Sequence, residues 1–123
     1  MNSREKGAGG ERELARILCG YGFEGQRGQQ YSGANGDADV IGLPGIHIEC
    51  KRVERLNLDE AMEQAVRDAY ADSLRQGERT APAVFHRKNA KRGTVRGSWK
   101  VTMLLEDWIK YYKAAQKHWG SEG

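Results

Sequence analysis

Two short apolar segments separated by a single turn constrain the fold of this chain more than any other feature. Residues 38–43 and 46–52 are rich in aliphatic and β-branched side chains, as strands are. Pro44 and Gly45 stand between them, and both residue types are common in tight turns. The pattern therefore predicts a β-hairpin.

Charged side chains interrupt both strands of this hairpin. Because side chains alternate along a strand, His47, Glu49 and Lys51 are expected on one face of the second strand. Asp39 lies on the first strand, so the hairpin brings its carboxylate close to that of Glu49. On spacing alone, an acid followed by Glu-x-Lys is ordinary surface charge. Inside apolar strands, however, idle carboxylates are costly, which favours a functional interpretation.

Periodicity elsewhere completes an α/β pattern. Helices are predicted over residues 11–20, over 58–77 after a capping box of Asn57 and Glu60, and from Leu105 onward. Further strands are predicted over residues 23–30, 81–87 and 99–104. The predicted order is α-β-β-β-α-β-β-α, a central mixed β-sheet flanked by helices. The length of 123 residues allows one domain, and residues 1–9, with their glycines, are predicted to form a flexible leader.

Composition excludes several classes of protein. The chain is 38% hydrophobic and 30% charged, and no apolar run approaches the length of a membrane span, so no membrane role is expected. The first residues carry charge without an apolar stretch, which predicts a cytoplasmic protein. Cys19 and Cys50 lack the spacing of a redox or zinc site and are interpreted as reduced, packed thiols. No nucleotide-binding loop is present, and no small-molecule substrate is expected.

Basic side chains are concentrated in one segment. Between Arg75 and Lys100, eight Lys and Arg residues stand against Glu78 alone, so this segment carries +7 while the whole chain carries +3. Such segregation suits a polyanion, because each basic side chain that neutralises a phosphate releases counterions. A solvated basic loop explains the charge equally well. The candidate phosphate contacts are Lys88, Lys91, Arg92 and Arg96.

The charged face of the hairpin can support phosphodiester hydrolysis. That reaction needs carboxylates to hold a divalent cation and a cationic group to position water or neutralise charge. Asp39 and Glu49 can share a metal, for which hard oxygen ligands favour Mg²⁺, with Mn²⁺ as a substitute. Lys51 lies on the same face, and the Cys50 backbone carbonyl is a further candidate ligand. Glu11, predicted in the first turn of a helix, can add an outer or second-metal carboxylate.

The motifs together resemble a family. Lys6-Gly7, Glu11-Arg12-Glu13-Leu14, Gly22-Phe23, Arg27, Ser32-Gly33, Asp39-Val40-Ile41 and Ile48-Glu49-Cys50-Lys51 are similar to the archaeal-type Holliday junction resolvases of the PD-(D/E)xK nuclease superfamily. The resemblance spans roughly the first 50 residues. Ala38 replaces the proline of the superfamily motif, and neither the basic segment nor the last helix has an obvious counterpart.

The resemblance implies both a fold and an activity. The expected fold has a restriction-endonuclease-like core, and the expected activity is Mg²⁺-dependent nicking of four-way DNA junctions by a homodimer. By position, Glu11, Asp39, Glu49 and Lys51 match the catalytic residues of the family. Arg12, Arg27 and Ser32 match residues near the DNA backbone and a mobile catalytic loop.

Two alternatives stay open on sequence. The first is another nuclease of the same superfamily that acts on flaps, nicks or duplex sites. The second is a non-catalytic DNA-binding module of the same fold. A binding module has no need for Lys51 beside Glu49, which favours an enzyme.

Overall fold

A computed structural model describes the backbone over residues 3–28 and 38–122, and the side chains over residues 7–28 and 38–120. The elements follow the predicted order. They are helix α1 (Ser3–Gly20), strands β1 (Gln26–Arg27), β2 (Val40–Ile41) and β3 (Ile46–Arg52), helix α2 (Leu58–Gln76), strands β4 (Ala81–Arg87) and β5 (Lys100–Met103), and helix α3 (Leu105–Glu122).

The strands form one mixed five-stranded sheet in the order β1-β2-β3-β4-β5. Every neighbouring pair is antiparallel except β3 and β4, which run parallel with Ile46 opposite Ala81 and Arg52 opposite Arg87. Helix α2 provides the crossover that a parallel pair requires. The predicted α/β class and mixed sheet are therefore confirmed.

The central strands match the predicted bounds, whereas the outer strands are shorter than predicted. Strands β3 and β4 have the predicted limits, and both are largely buried. Strand β1 spans only two of the predicted residues, and Phe23 lies before it and is 48% exposed. Polar edge strands gain little from burial, so their limits depend on tertiary pairing that sequence alone does not specify.

Helix α1 begins at Ser3, so the predictions of a helix start at Glu11 and of a flexible leader up to residue 9 are wrong. One glycine of this region, Gly10, serves close packing. Gly10 is buried, and a Cβ built there would lie 3.0 Å from the Cβ of Arg52 on β3. A helix can approach the sheet this closely only where the side chain is missing.

Helix α2 begins as predicted and covers the opposite face of the sheet from α1. The Asn57 side chain accepts a hydrogen bond from the Glu60 amide at 3.0 Å, and Gly77 ends the helix in the left-handed conformation. Its alanines at positions 61, 65 and 69 are buried, and two of them pack on Val84. Val66 and Tyr70, four residues apart on α2, are 41% and 68% exposed, so the buried apolar face of this helix is narrow.

Helix α3 differs from the other two helices in its exposure. Of the side chains between residues 105 and 120, only Asp107 is buried, and its carboxylate accepts hydrogen bonds from Arg79 at 2.7 and 3.3 Å. This ion pair anchors the first turn while the rest of the helix projects from the domain. In the described part of the chain, no helix is long and apolar enough to cross a lipid bilayer.

Candidate active site

The hairpin of β2 and β3 brings Asp39 and Glu49 together as predicted. The Asp39 amide donates to the Ile48 carbonyl at 2.9 Å, which fixes the backbone beside β3. The Cys50 amide donates to Asp39 Oδ2 at 2.8 Å, which aims this carboxylate at β3. Lys51 Nζ lies 3.8 Å from Glu49 Oε1, so the lysine shares the face of Glu49.

Glu49 carries the most perturbed carboxyl group of this region. The residue is only 2% exposed. Burial, the charge of Asp39 and the charge of Asp68 raise the pKa of Glu49 to about 8, although Lys51 opposes the shift. At neutral pH, without a bound cation, Glu49 therefore keeps its proton. A divalent cation can replace that proton, because crowded carboxylates gain most from added positive charge.

Glu11 approaches the same cluster from α1. Its carboxylate accepts a hydrogen bond from Arg27 Nε at 2.9 Å. Burial and the charge of Asp39 raise the pKa of Glu11, against the lowering effect of Arg27. Glu11 lies within α1 and not in its first turn, so the predicted position of this residue at a helix N-terminus is wrong. The convergence of Glu11 with Asp39 still brings a third carboxylate to the site.

His47 shares the strand face of Glu49 and Lys51, as the alternation of side chains predicts. The residue is fully buried, and its Nδ1 lies 3.0 Å from Asp72 Oδ2 on α2. Its Nε2 is buried and has no hydrogen-bond partner among the described residues. One ring nitrogen of His47 and one carboxylate oxygen each of Glu49 and Asp68 lie within 4.8 Å of one another.

Asp68 and Asp72 were missed on sequence. The two aspartates lie four residues apart on α2, so they share one helical face. That face packs on the side of β3 that carries His47 and Glu49. A pair of acids at this spacing, opposite a polar strand face, was the signal that could have identified them.

A second charged cluster lies between α1 and the ends of β3 and β4. Glu13 accepts hydrogen bonds from Arg52 Nη1 at 2.9 Å, Arg87 Nη1 at 2.5 Å and Trp99 Nε1 at 2.8 Å. Burial alone raises the pKa of Glu13, but the bonds from Trp99 and Arg87 outweigh it and lower the pKa. The Glu13 carboxylate therefore has three hydrogen-bond donors, and these bonds hold α1 to the sheet.

The basic segment leaves the sheet at the end that carries the carboxylates. Because β3 and β4 run parallel, Lys51 lies opposite His86 and both strands end at the same edge. Arg52 Nε donates to Asn89 Oδ1 at 2.6 Å, which ties the start of the segment to the end of β3. The four candidate phosphate contacts, Lys88, Lys91, Arg92 and Arg96, are all exposed.

The remaining residues named from the sequence are two arginines, one serine and two cysteines. Arg12 is exposed on α1, and Arg27 is partly exposed while paired with Glu11. Ser32 lies outside the described residues. Cys50 is half-buried against the core, where burial raises the pKa of its thiol, whereas Cys19 is exposed and not packed as predicted.

Comparison of this chain with protein-family models, with curated proteins and with solved structures gives no match. The functional argument therefore depends on the geometry of the site.

Proposed function

We propose that this protein is a metal-dependent DNA endonuclease with a restriction-endonuclease-like fold, and that its substrate is a four-way DNA junction. One observation carries the proposal: Asp39 lies close enough to Glu11 and to Glu49 for its charge to raise the pKa of both carboxyl groups, and Lys51 Nζ lies 3.8 Å from Glu49 Oε1. The nuclease activity rests on this geometry, and the preference for junctions rests on the sequence resemblance.

The carboxylate cluster fits a divalent cation. Asp39 interacts with both Glu11 and Glu49, and burial together with the charge of Asp39 raises the pKa of Glu49 to about 8. Hard oxygen donors of this kind suit Mg²⁺, with Mn²⁺ as a substitute. Asp39 and Glu49 would hold the ion, with the Cys50 carbonyl as a further ligand and Glu11 as an outer or second-metal ligand.

The side chains divide the work of hydrolysis among them. A bound cation supplies polarisation of the scissile phosphate and a more acidic water. Lys51 orients the attacking water and offsets charge that develops on the phosphate. The Cys50 amide keeps the Asp39 carboxylate aimed at the site through its 2.8 Å hydrogen bond. Arg27 restrains the Glu11 carboxylate through its 2.9 Å hydrogen bond.

The basic segment, with Arg12 and Arg27, is the proposed contact surface for the DNA backbone. Lys88, Lys91, Arg92 and Arg96 emerge at the sheet edge that carries the carboxylates. The DNA phosphates bound by these side chains would belong to a duplex arm that leads away from the cleavage site. Such contacts position DNA and strengthen binding without reading sequence.

A homodimer is the assembly that we propose, because two opposed cuts in one junction need two active sites. Helix α3 supports it. Five residues of this helix stand alternately three and four positions apart, as at a coiled-coil interface, so they lie on one side of it. They are Leu105, Trp108, Tyr112, Ala115 and Trp119. Trp108 and Tyr112 stack with ring centroids 5.2 Å apart, and both rings are nearly half exposed.

Charge favours a second copy of α3, antiparallel to the first. The first turn carries the exposed Glu106, since Asp107 is buried and paired with Arg79, whereas Lys110, Lys113 and Lys117 follow along the helix. An antiparallel arrangement sets the acidic start of one helix near the lysines of the other, and the two-fold axis repeats the contact.

A cleavage assay on a panel of DNA substrates tests the function. Labelled four-way junction, flap, nicked duplex, intact duplex and single strands are incubated with the protein, with and without Mg²⁺. We expect symmetric nicks in the junction, only when Mg²⁺ is present. Preferential cutting of flaps or duplex would identify another nuclease, and binding without cutting would identify a non-catalytic module.

A further inference from the structure

The polar face between β3 and α2 contains a histidine that the proposed chemistry does not use. His47 is fully buried, and Asp72 occupies its Nδ1 at 3.0 Å. This leaves Nε2, which is buried and has no hydrogen-bond partner in the described part of the chain. A buried ring nitrogen without a partner costs free energy, so it needs an explanation.

Asp72 is itself held firmly in place. Its Oδ1 accepts hydrogen bonds from Arg75 at 3.0 Å and from Gln76 at 2.7 Å, while Oδ2 faces His47. Burial alone raises the pKa of Asp72, but the bonds to His47 and Gln76 outweigh it and lower the pKa. His47 Nδ1 lies at hydrogen-bond distance from Asp72 Oδ2, and the neutral tautomer that donates this bond carries its lone pair on Nε2.

Carboxylate, histidine and cation in series are the usual arrangement around a metal-bound histidine. The outer carboxylate fixes the tautomer and the ring orientation, and makes the ring nitrogen a stronger ligand. Asp72 and His47 reproduce the first two members of that series. Glu49 and Asp68 supply oxygen ligands within 4.8 Å of the ring.

We infer that His47 Nε2, Glu49 and Asp68 bind a divalent transition-metal ion, with Asp72 as the carboxylate that orients the histidine. A cation about 2.1 Å from each ligand needs ligand atoms no more than about 4.2 Å apart. The three ligand atoms lie within 4.8 Å of one another, so a small side-chain rotation would bring them to that spacing. Asp68 is only half-buried and can make this rotation.

The donor set selects among cations. Imidazole nitrogen is a good ligand for Zn²⁺, Fe²⁺ and Ni²⁺, whereas Mg²⁺ prefers oxygen and retains its water; Mn²⁺ is the paramagnetic probe for such a site. This site therefore differs from the Mg²⁺ site proposed at Asp39, although Glu49 belongs to both. Its existence does not depend on DNA cleavage.

Pulsed electron paramagnetic resonance of Mn²⁺, added without DNA, tests the site. A nitrogen bound directly to Mn²⁺ gives a characteristic ¹⁴N coupling, which a carboxylate site lacks. We expect this coupling in the wild-type protein and in Asp39→Asn. We expect its loss in His47→Gln, and at least a tenfold weaker binding of the nitrogen-coupled ion in Asp68→Asn.

Matched variants separate the outcomes. Glu63→Gln removes an exposed α2 carboxylate and should leave the coupling unchanged. Because His47→Gln can fail to fold, the Asp68→Asn result decides independently. Absence of ¹⁴N coupling in the wild-type protein, or its persistence at full affinity in Asp68→Asn, overturns the inference. Junction cleavage that requires Asp39 would still stand in that case, so the two proposals fail separately.

Discussion

Two clusters of charged side chains lie on opposite faces of the sheet, and they differ in how far cationic groups neutralise their carboxylates. Glu13 is surrounded by Arg52, Arg87 and Trp99, and its pKa is lowered. Burial and the charges of Asp39 and Asp68 raise the pKa of Glu49 to about 8, and among the described residues Lys51 is the cation that opposes the shift. The first cluster is complete within the protein. The second is unfavourable without a ligand, as expected of a site that binds a cation.

The largest effect is expected in the unbalanced cluster and on catalysis. Asp39→Asn removes a metal ligand without adding bulk, so junction cleavage should fall by at least about 10³-fold while junction binding is retained. Gel assays of cleavage and binding on one preparation measure both. Lys51→Ala should also be inactive, yet should still bind Mg²⁺ in calorimetry. Cleavage by Asp39→Asn at the wild-type rate would show that the site is wrong.

The second effect is a difference in stability between the two clusters. Glu13→Gln leaves buried Arg87 without its carboxylate, and the free energy of unfolding should fall by about 3 kcal/mol. Glu49→Gln removes a crowded acid and should stabilise the metal-free protein at pH 8. Thermal unfolding of both variants at pH 8 measures the two shifts. Equal destabilisation by both substitutions would erase the contrast between the clusters.

The same two glutamates should respond to pH in opposite directions. Glu49 has a raised pKa, so the stability it contributes is present below about pH 4.5 and is lost as pH rises to about 8. Glu13 has a lowered pKa, so its contribution is present above its ordinary value and is lost as acid is added. In metal-free unfolding experiments, Glu49→Gln should therefore flatten the curve between pH 4.5 and 8.

Sequence predicted the element order and the limits of β3 and β4 because apolar alternation and turn residues are local signals. It also identified Asp39, Glu49 and Lys51, since hairpin geometry follows from the chain between them. Sequence could not show that Asp68 and Asp72 lie beside His47. His47 stands more than 20 residues earlier in the chain, on β3, whereas both aspartates belong to α2. The start of α1 could not be predicted either, because glycine has a low helix propensity and the close approach of Gly10 to Arg52 on β3 is not a local signal.

The basic segment should contribute to binding much more than to catalysis. Replacing Lys88, Lys91, Arg92 and Arg96 with alanine should weaken junction binding by roughly 10- to 100-fold at moderate salt. The slope of log affinity against log salt should flatten by roughly 0.9 for each phosphate that the variant no longer neutralises. Binding titrations at four salt concentrations measure both quantities. Unchanged affinity and slope would make this segment a solvated loop and leave the DNA to Arg12 and Arg27.

The smallest effect is expected at α3, far from either charged cluster. Trp108→Ala removes an exposed ring from the proposed seam and should weaken dimerisation by about tenfold, with little change in unfolding temperature. Sedimentation over a range of concentrations measures the dissociation constant. Tyr21→Ala, which removes an exposed ring outside α3, is the control. A wild-type protein that stays monomeric with and without junction DNA would contradict the dimer.

The central claim is that Glu49 gives up a proton to a divalent cation, and calorimetry tests it most directly. Mg²⁺ is titrated into wild-type protein in buffers of different ionisation enthalpy, which reveals the protons released per ion. With a pKa of about 8, Glu49 should release about 0.9 proton at pH 7 and about 0.1 at pH 9. Binding without proton release at pH 7, or no binding of Mg²⁺ at all, would contradict the account.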